Sequence, residues 1–289
     1  MVTDAVWTDF NGDKRLDLII VGEWMGIRAF RNDGKYFDEV SNEAGLKDTE
    51  GWWNTITAED FDLDGDFDYV IGNLGLNSRI KVSVAEPATV YAKDFDNNGT
   101  MDGIMCYYIK GRSYPLYGKD DLQTQLPFIK KKYPNYESFS DQTITDIFSA
   151  EDLKDAIVLK ANIFTSCYME NKGNNQFSLS PLPREAQYSP VYTIRTGDYN
   201  RDGKPDVILA GNLSGTRVKF GGYDANKGLL LSGNGKGNFE VLSDIQSGLF
   251  VRGEVRDLAE VRMADNRNIL VFALNNYSVR LYRFAGDNK

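Results

Sequence analysis

Apolar residues along this chain come in short runs that are punctuated in a regular way. "LDLII", "YVI" and "DVILA" each follow a stretch of aspartate, asparagine and glycine, and alternating runs such as "WNTITAE", "TVYAK" and "VYTIRTG" precede such stretches. Alternation at period two marks half-buried strands, and short β-branched runs bounded by turn residues mark buried ones. The pattern therefore predicts pairs of strands joined by an acidic turn. Glycine-containing turns with a phenylalanine behind them follow at "NDGKYF" from 32, "NKGNNQF" from 171 and "NGKGNF" from 234, and these predict a hairpin between a third and a fourth strand. A four-stranded unit repeated along a chain predicts an all-β fold, a β-propeller of about five blades. The closing segment "EVRDLAEVRMADNRNILVFALNNYSVRLYRF" keeps the strand rhythm but loses the acidic turn.

The rhythm breaks between 116 and 156. Leu122, Leu126 and Ile129, then Ile144, Ile147 and Phe148, fall at helical spacing. "DDLQTQLPFIKKKY" fits one 3.6-residue period up to Pro134, and Ser149 with Glu151 and Asp152 behind it marks a helix start. The organisation expected is a single propeller domain over 1–289, or part of a larger ring, with a helical insertion at 116–156. Removing those 41 residues from 289 leaves 248, close to 50 for each of five units.

The acidic turns share one spacing. Positions 1, 3, 5 and 9 are Asp9, Asn11, Asp13 and Asp17 in the first; Asp60, Asp62, Asp64 and Asp68 in the second; Asp94, Asp96, Asn98 and Asp102 in the third; Asp198, Asn200, Asp202 and Asp206 in the fourth. Carboxylates this close repel one another unless a cation sits among them, and oxygen donors at alternate positions suit a hard ion. Glycine at position 6 permits the sharp turn, and Asp66, Thr100 and Lys204 at position 7 can each offer a backbone carbonyl. Ca²⁺ is the expected ion. An EF-hand is excluded, because position 12 of the second turn is Ile71 rather than a bidentate glutamate. Lys14 replaces the glycine in the first turn, which makes that site the weakest expected. Position 2 is aromatic throughout, Phe10, Phe61, Phe95 and Tyr199, and suits wedging between sheets.

These D-x-[DN]-x-[DN]-G-x-x-D turns between strands resemble FG-GAP/VCBS-type repeats, as in integrin α-subunit propellers. "GNLGLNSRIKVS", "EPATVYAKDFDNNG" and "YPLYGKDDLQTQLPFIKKKYPNYESF" are similar to segments of large repeat proteins of Bacteroidota. The resemblance implies an extracytoplasmic location, at the cell surface, in the periplasm or secreted, and a parent protein that is often lipid-anchored.

Charge agrees with filled metal sites. The chain carries 33 basic and 42 acidic residues, a net charge of −9, and thirteen of the acidic ones stand at positions 1, 3, 5 and 9 of the four turns; four Ca²⁺ ions would bring −9 to −1. No nucleic-acid partner is expected, since "KKKY" from 130 is the one short basic cluster and reads as a solvated helix face. No apolar run approaches the ~18 residues of a membrane span. Histidine is absent, which removes Ser-His-Asp and Cys-His chemistry. Cys106 and Cys167 are expected as buried free thiols, with a disulfide as the alternative in an oxidising compartment.

A second recurrence stands at the far end of the second strands. "GEWMGIR", "GNLGLNSR", "GNLSGTR" and "NNYSVR" end in Arg28, Arg79, Arg217 and Arg280. Since one strand joins the acidic turn to this one, the two must lie at opposite ends of a unit. Glu23, Trp24, Arg28, Asn73, Asn77, Arg79, Asn212 and Arg217 form the candidate ligand face, able to hold sugar hydroxyls or carboxylates; the same residues could instead cap hairpins and bridge sheets. The function expected is a calcium-stabilised module recognising a protein or glycan ligand. The alternative is a carbohydrate-active enzyme, a polysaccharide lyase or glycoside hydrolase, with its chemistry on carboxylates.

Overall fold

The computed structural model describes residues 1–216 and 221–283. Its chain divides into two compact units, Met1–Arg79 with Phe164–Lys289, and Ile80–Ile163. In the first unit β1 (Val2–Thr8), β2 (Asp17–Met25), β3 (Arg28–Asn32) and β4 (Phe37–Glu39) form an antiparallel sheet in chain order, and the two-residue β5 (Gly51–Trp52) pairs with the end of β2. A second sheet begins with β6 (Thr55–Glu59) and β7 (Asp68–Gly72). There the chain leaves it.

Residues 80–163 build the second unit. It comprises β8 (Ala88–Lys93), β9 (Asp102–Ile109), β10 (Arg112–Pro115), the helices α1 (Lys119–Gln125), α2 (Phe128–Lys132), α3 (Tyr136–Phe139), α4 (Ile144–Ile147) and α5 (Ala150–Leu153), and β11 (Ile157–Ala161). Its sheet runs β10-β9-β8-β11, so the last strand closes on the outer edge of β8 rather than following β10. Helical spacing is explained by one core: Leu122, Leu126, Ile129, Ile144, Ile147 and Phe148 are buried together with Ile104 and Cys106 of β9. The period expected to run unbroken to Pro134 is cut at Pro127. Proline disfavours helical backbone in the residue before it, and Leu126 is extended at φ −125°, ψ 92°. Ser149 caps α5 through a reciprocal capping box with Asp152.

The chain then returns to the second sheet as β12 (Cys167–Asn171), antiparallel to β7 with Met169 opposite Tyr69, followed by β13 (Phe177–Pro181). All five residues of β7 are buried, so it needs a partner along each edge. Distance along the chain does not forbid that partner, because loop closure costs grow only slowly with length. The third sheet is β14 (Val191–Gly197), β15 (Asp206–Gly211), β16 (Leu229–Gly233) and β17 (Phe239–Leu242), again in chain order. After α6 (Asp244–Ser247), β18 (Val255–Arg262), β19 (Asn268–Leu274) and β20 (Arg280–Arg283) make a three-stranded sheet. The protein is thus all-β with few, short helices. Its sheets are open and separate, and the acidic turn at 94–102 belongs to the second unit rather than to the succession of sheets in the first.

Within the first unit the leading strands lie side by side, β1 against β6, β6 against β14 and β14 against β18. Polar ties join them. Asp4 Oδ2 accepts from the Ile56 amide and the Thr55 hydroxyl, both at 2.9 Å, and Thr196 Oγ1 donates to Glu59 Oε2 at 3.1 Å. Cys106 and Cys167 are free and buried, and burial pushes each thiol up to about 12. Among the described residues no helix is long and apolar enough to cross a membrane.

Candidate metal centres

The four acidic turns fold alike. The amide of position 5 donates to Oδ1 of positions 1 and 3: Asp13 to Asp9 and Asn11, Asp64 to Asp60 and Asp62, Asn98 to Asp94 and Asp96, Asp202 to Asp198 and Asn200, all between 2.8 and 3.2 Å. The amide of position 6 donates to the other oxygen of position 1, from Lys14, Gly65, Gly99 and Gly203. Position 7 donates to the position-5 side chain, from Arg15, Asp66, Thr100 and Lys204. Short side chains accepting from amides a few residues on are what winds each turn so tightly.

Two residues per turn lie in the left-handed region, and glycine supplies one of them. In the first turn these are Gly12 at φ 75° and Lys14 at 67°. In the others they are Leu63 and Gly65, Asn97 and Gly99, and Arg201 and Gly203. The glycine missing at position 6 of the first turn has therefore moved to position 4. Lys14 bears no more backbone strain than Leu63 or Arg201, so strain is not a reason to rank that turn last, and only the lysine charge distinguishes position 6.

Position 9 ties each turn to its surroundings. Asp17, Asp68, Asp102 and Asp206 are all buried. In the first unit their Oδ1 atoms accept from the third strand or the residue leaving it, from the amides of Asn32, Asn171 and Gly233 at 2.8 to 3.0 Å. Asp68 Oδ2 also takes the Tyr168 hydroxyl at 2.6 Å. In the second unit Gln125 of α1 donates to Asp102 Oδ1 at 3.1 Å. The aromatic at position 2 does the wedging expected of it: Phe10 packs edge-on against Phe177, and Phe61 against Phe239, each on the last strand of the next sheet. Phe95 packs on Phe148 instead.

Charge separates the turns that geometry makes alike. Among the described residues, carboxylate oxygens converge within 4.8 Å in two groups, Asp60, Asp62 and Asp64, and Asp94, Asp96 and Asp102, and each group could hold a metal ion. In the turn at 60, Asp66 Oδ1 is buried without a hydrogen-bond partner. Burial first, then repulsion from Asp64, Asp62 and Asp60, lifts the Asp66 carboxyl to about 6. Burial also lifts Asp68 to about 6, against the opposing bonds from Tyr168 and Asn171, and it raises Asp62. An all-oxygen donor set, an unpartnered buried oxygen and carboxyls pushed toward neutrality fit a hard cation. The turns at 9 and 198 carry their own cations instead: Arg15 pairs with Asp13, and Lys204 Nζ lies 3.7 Å from Asp202.

At the far end of the second strands the candidate ligand residues have varied commitments. Asn73 and Asn212 are buried. Asn73 Oδ1 accepts from the Trp52 and Leu74 amides. Asn212 accepts from the Ser189 hydroxyl and the Asn226 amide and donates to the carbonyls of Asn226 and Gly253, at 2.7 to 3.0 Å, which uses its whole amide. Arg28 forms a fork with Glu39 and lies over Phe30. Asn77 donates to the Tyr188 carbonyl. Trp24, at φ 60°, packs on Trp52 with centroids 5.2 Å apart. Glu23 is half-buried, Arg79 and Arg280 are exposed, and Arg217 lies outside the described residues. Sequence reasoning missed Tyr168, Asn171 and Gln125 as partners of the acidic turns. Asn171 shows in the sequence only as the residue opening a hairpin.

The FG-GAP-like repeat family matches residues 9–71, which takes in the first two acidic turns, the strands β2 to β6 and most of β7. No curated protein matches the chain. Among solved structures, the crystal structure of the V. cholerae biofilm matrix protein Bap1 is similar over 99% of this chain and 63% of its own, at 8% identity and a TM-score of 0.30. This chain thus spans less than two thirds of that protein's length, and a likeness so loose bears neither on ring closure nor on ligand.

Proposed function

We propose that this chain, an FG-GAP-type repeat protein with its repeat at residues 9–71, is a calcium-stabilised extracytoplasmic module that recognises a protein or glycan ligand. Its sheets serve as blades of a β-propeller or of an arc of one, and the acidic turns are architectural calcium sites. The observation that carries this reading is the turn at 60–68, where three carboxylates converge and a fourth keeps a buried oxygen without a partner. Ca²⁺ suits it better than Mg²⁺, because Ca²⁺ accepts six to eight oxygens in flexible geometry, including backbone carbonyls. Ions held by the folded state alone stabilise it by mass action, by about 2.7 kcal/mol per site at a hundredfold excess over Kd.

Thermal melting in EGTA, in millimolar Ca²⁺ and in millimolar Mg²⁺ tests the reading. A melting temperature raised by Ca²⁺ and much less by Mg²⁺ is expected, with calorimetric titration giving two or more sites. Identical melting in EGTA and in Ca²⁺ would rule the calcium role out.

A further inference from the structure

The second unit contains a cleft that the acidic turns do not explain. It has a volume of about 670 Å³ and lies between the β9–β10 hairpin and the segment from α1 to α3, within the usual size of a small-ligand site. Tyr114, Tyr136 and Phe139 contribute to its walls. Tyr136 is 63% exposed, a large aromatic ring left in solvent where burial against the adjacent core would be favourable. Three cations, Lys110, Arg112 and Lys119, line the cleft; Asp141 lines it too, Asp146 lies 3.6 Å from Arg112, and Asp120 accepts from the Tyr136 hydroxyl, so three carboxylates face the three cations.

The cations are not equivalent. Arg112 is satisfied by Asp141, at 3.1 and 3.2 Å, and stacks on Tyr114, whose hydroxyl donates to the same carboxylate at 2.9 Å. Lys119 is only 7% exposed. Its ammonium meets the neutral Gln123 side chain at 3.2 Å and the Tyr136 ring at 5.6 Å, and among the described residues no carboxylate lies within ion-pairing distance of it; Gln123 and Tyr136 in turn both donate to Asp120. A buried ammonium has three donors and a desolvation cost that one neutral acceptor does not offset.

We infer that this cleft binds an anionic oligosaccharide, its sugar faces against Tyr136 and Tyr114 and its carboxylate or sulfate on Lys119. Tyrosine walls with phenol and carboxylate groups at their edge suit a ligand with both C–H faces and hydroxyls. The Lys119 ammonium, which meets one neutral acceptor, favours an acidic ligand over a neutral one. This inference rests on the recognition reading and names the ligand class and place for it.

The test is calorimetric titration of the whole calcium-loaded chain with hexa-galacturonate, a sulfated galactan oligosaccharide of similar length, neutral cellohexaose and poly-glutamate. Binding of at least one acidic saccharide about tenfold tighter than cellohexaose and poly-glutamate is expected, and the stronger of the two arms identifies carboxylate or sulfate as the anion. Tyr136→Ala should weaken it about tenfold, and Lys119→Met should abolish the preference for the acidic sugar, with Lys131→Met, an exposed lysine outside the cleft, changing it less than about twofold. Far-UV circular dichroism and melting of each variant report the fold. Equal affinity for neutral and acidic sugars, poly-glutamate binding as tightly, or an acidic-sugar affinity untouched by both cleft variants would overturn the inference. Calcium-dependent melting of the same samples judges the scaffold reading separately.

Discussion

The turns at 9–17 and 60–68 share a backbone and differ in charge. Each is wound by the same hydrogen bonds from positions 5, 6 and 7, each holds two left-handed residues, and each is tied to its third strand by a buried aspartate. Yet the second holds five aspartates in nine positions, while the first holds three with Lys14 and Arg15 beside them. Arg15 pairs with Asp13, so the first turn is neutralised from within. The second has no basic residue at positions 6 and 7, and its carboxylates could hold a metal ion. Turn geometry is therefore a matter of short acceptor side chains and left-handed residues. Charge is a separate property, and it differs at positions 3, 6 and 7, where Asn11, Lys14 and Arg15 stand against Asp62, Gly65 and Asp66.

The largest expected effect separates the two turns by calcium. In saturating Ca²⁺, Asp64→Asn should cost about 2–4 kcal/mol and Asp13→Asn less than about 1 kcal/mol. In EGTA the first change should become neutral or stabilising, because it relieves repulsion among Asp60, Asp62 and Asp66. Denaturant titrations in both buffers measure this, and equal costs for the two variants in Ca²⁺ would remove the distinction drawn between the turns.

Next in size is pH. The Asp66 and Asp68 carboxyls sit at about 6 in the folded protein, above the ordinary aspartate value of 3.8. Between those values the folded state binds more protons than the unfolded one, so stability falls as pH rises. In EGTA, lowering pH from 7 to 5 should therefore stabilise the protein, by about 1–3 kcal/mol in total after allowing for solvent screening at Asp66. In Ca²⁺ the slope should reverse, since protons and metal compete for the same oxygens. An unchanged slope on adding Ca²⁺ would mean that the ion does not reach these carboxylates.

Smaller effects probe the backbone. Lys14→Gly should stabilise by about 0.5–1 kcal/mol, by relieving a left-handed lysine, and Gly65→Ala, at φ 101°, should cost at least as much. Loss of stability in Lys14→Gly, seen in a urea melt, would show that the lysine side chain contributes more than its backbone costs. Smallest is Arg15→Thr, which gives the first turn the residue found at position 7 of the turn at 94. It should raise calcium affinity there a few-fold, with melting in EGTA nearly unchanged, as calorimetric titration would show.

The acidic turns, the hairpins opened by Asn32, Asn171 and Asn234, and the helical faces of Leu122, Leu126 and Ile129 were all determined by the sequence alone. Each is a local pattern whose cause lies within a few residues. Short acceptors wind a turn, asparagine and glycine turn a hairpin, and a 3.6-residue period buries one helix face. Pro127 was equally legible as a break, but the apolar period on both sides of it hid the cut. The tertiary structure alone decided that β12, not the strand after 80, pairs with β7, because antiparallel pairing depends on edges meeting in space and residues 80–163 fold as a unit of their own. It also decided that the Asn212 amide is consumed by Ser189, Asn226 and Gly253, and that Lys119 is buried against the Gln123 side chain. Whether a polar side chain is spent inside the protein or left for a ligand depends on partners brought from distant segments, and no local pattern records them.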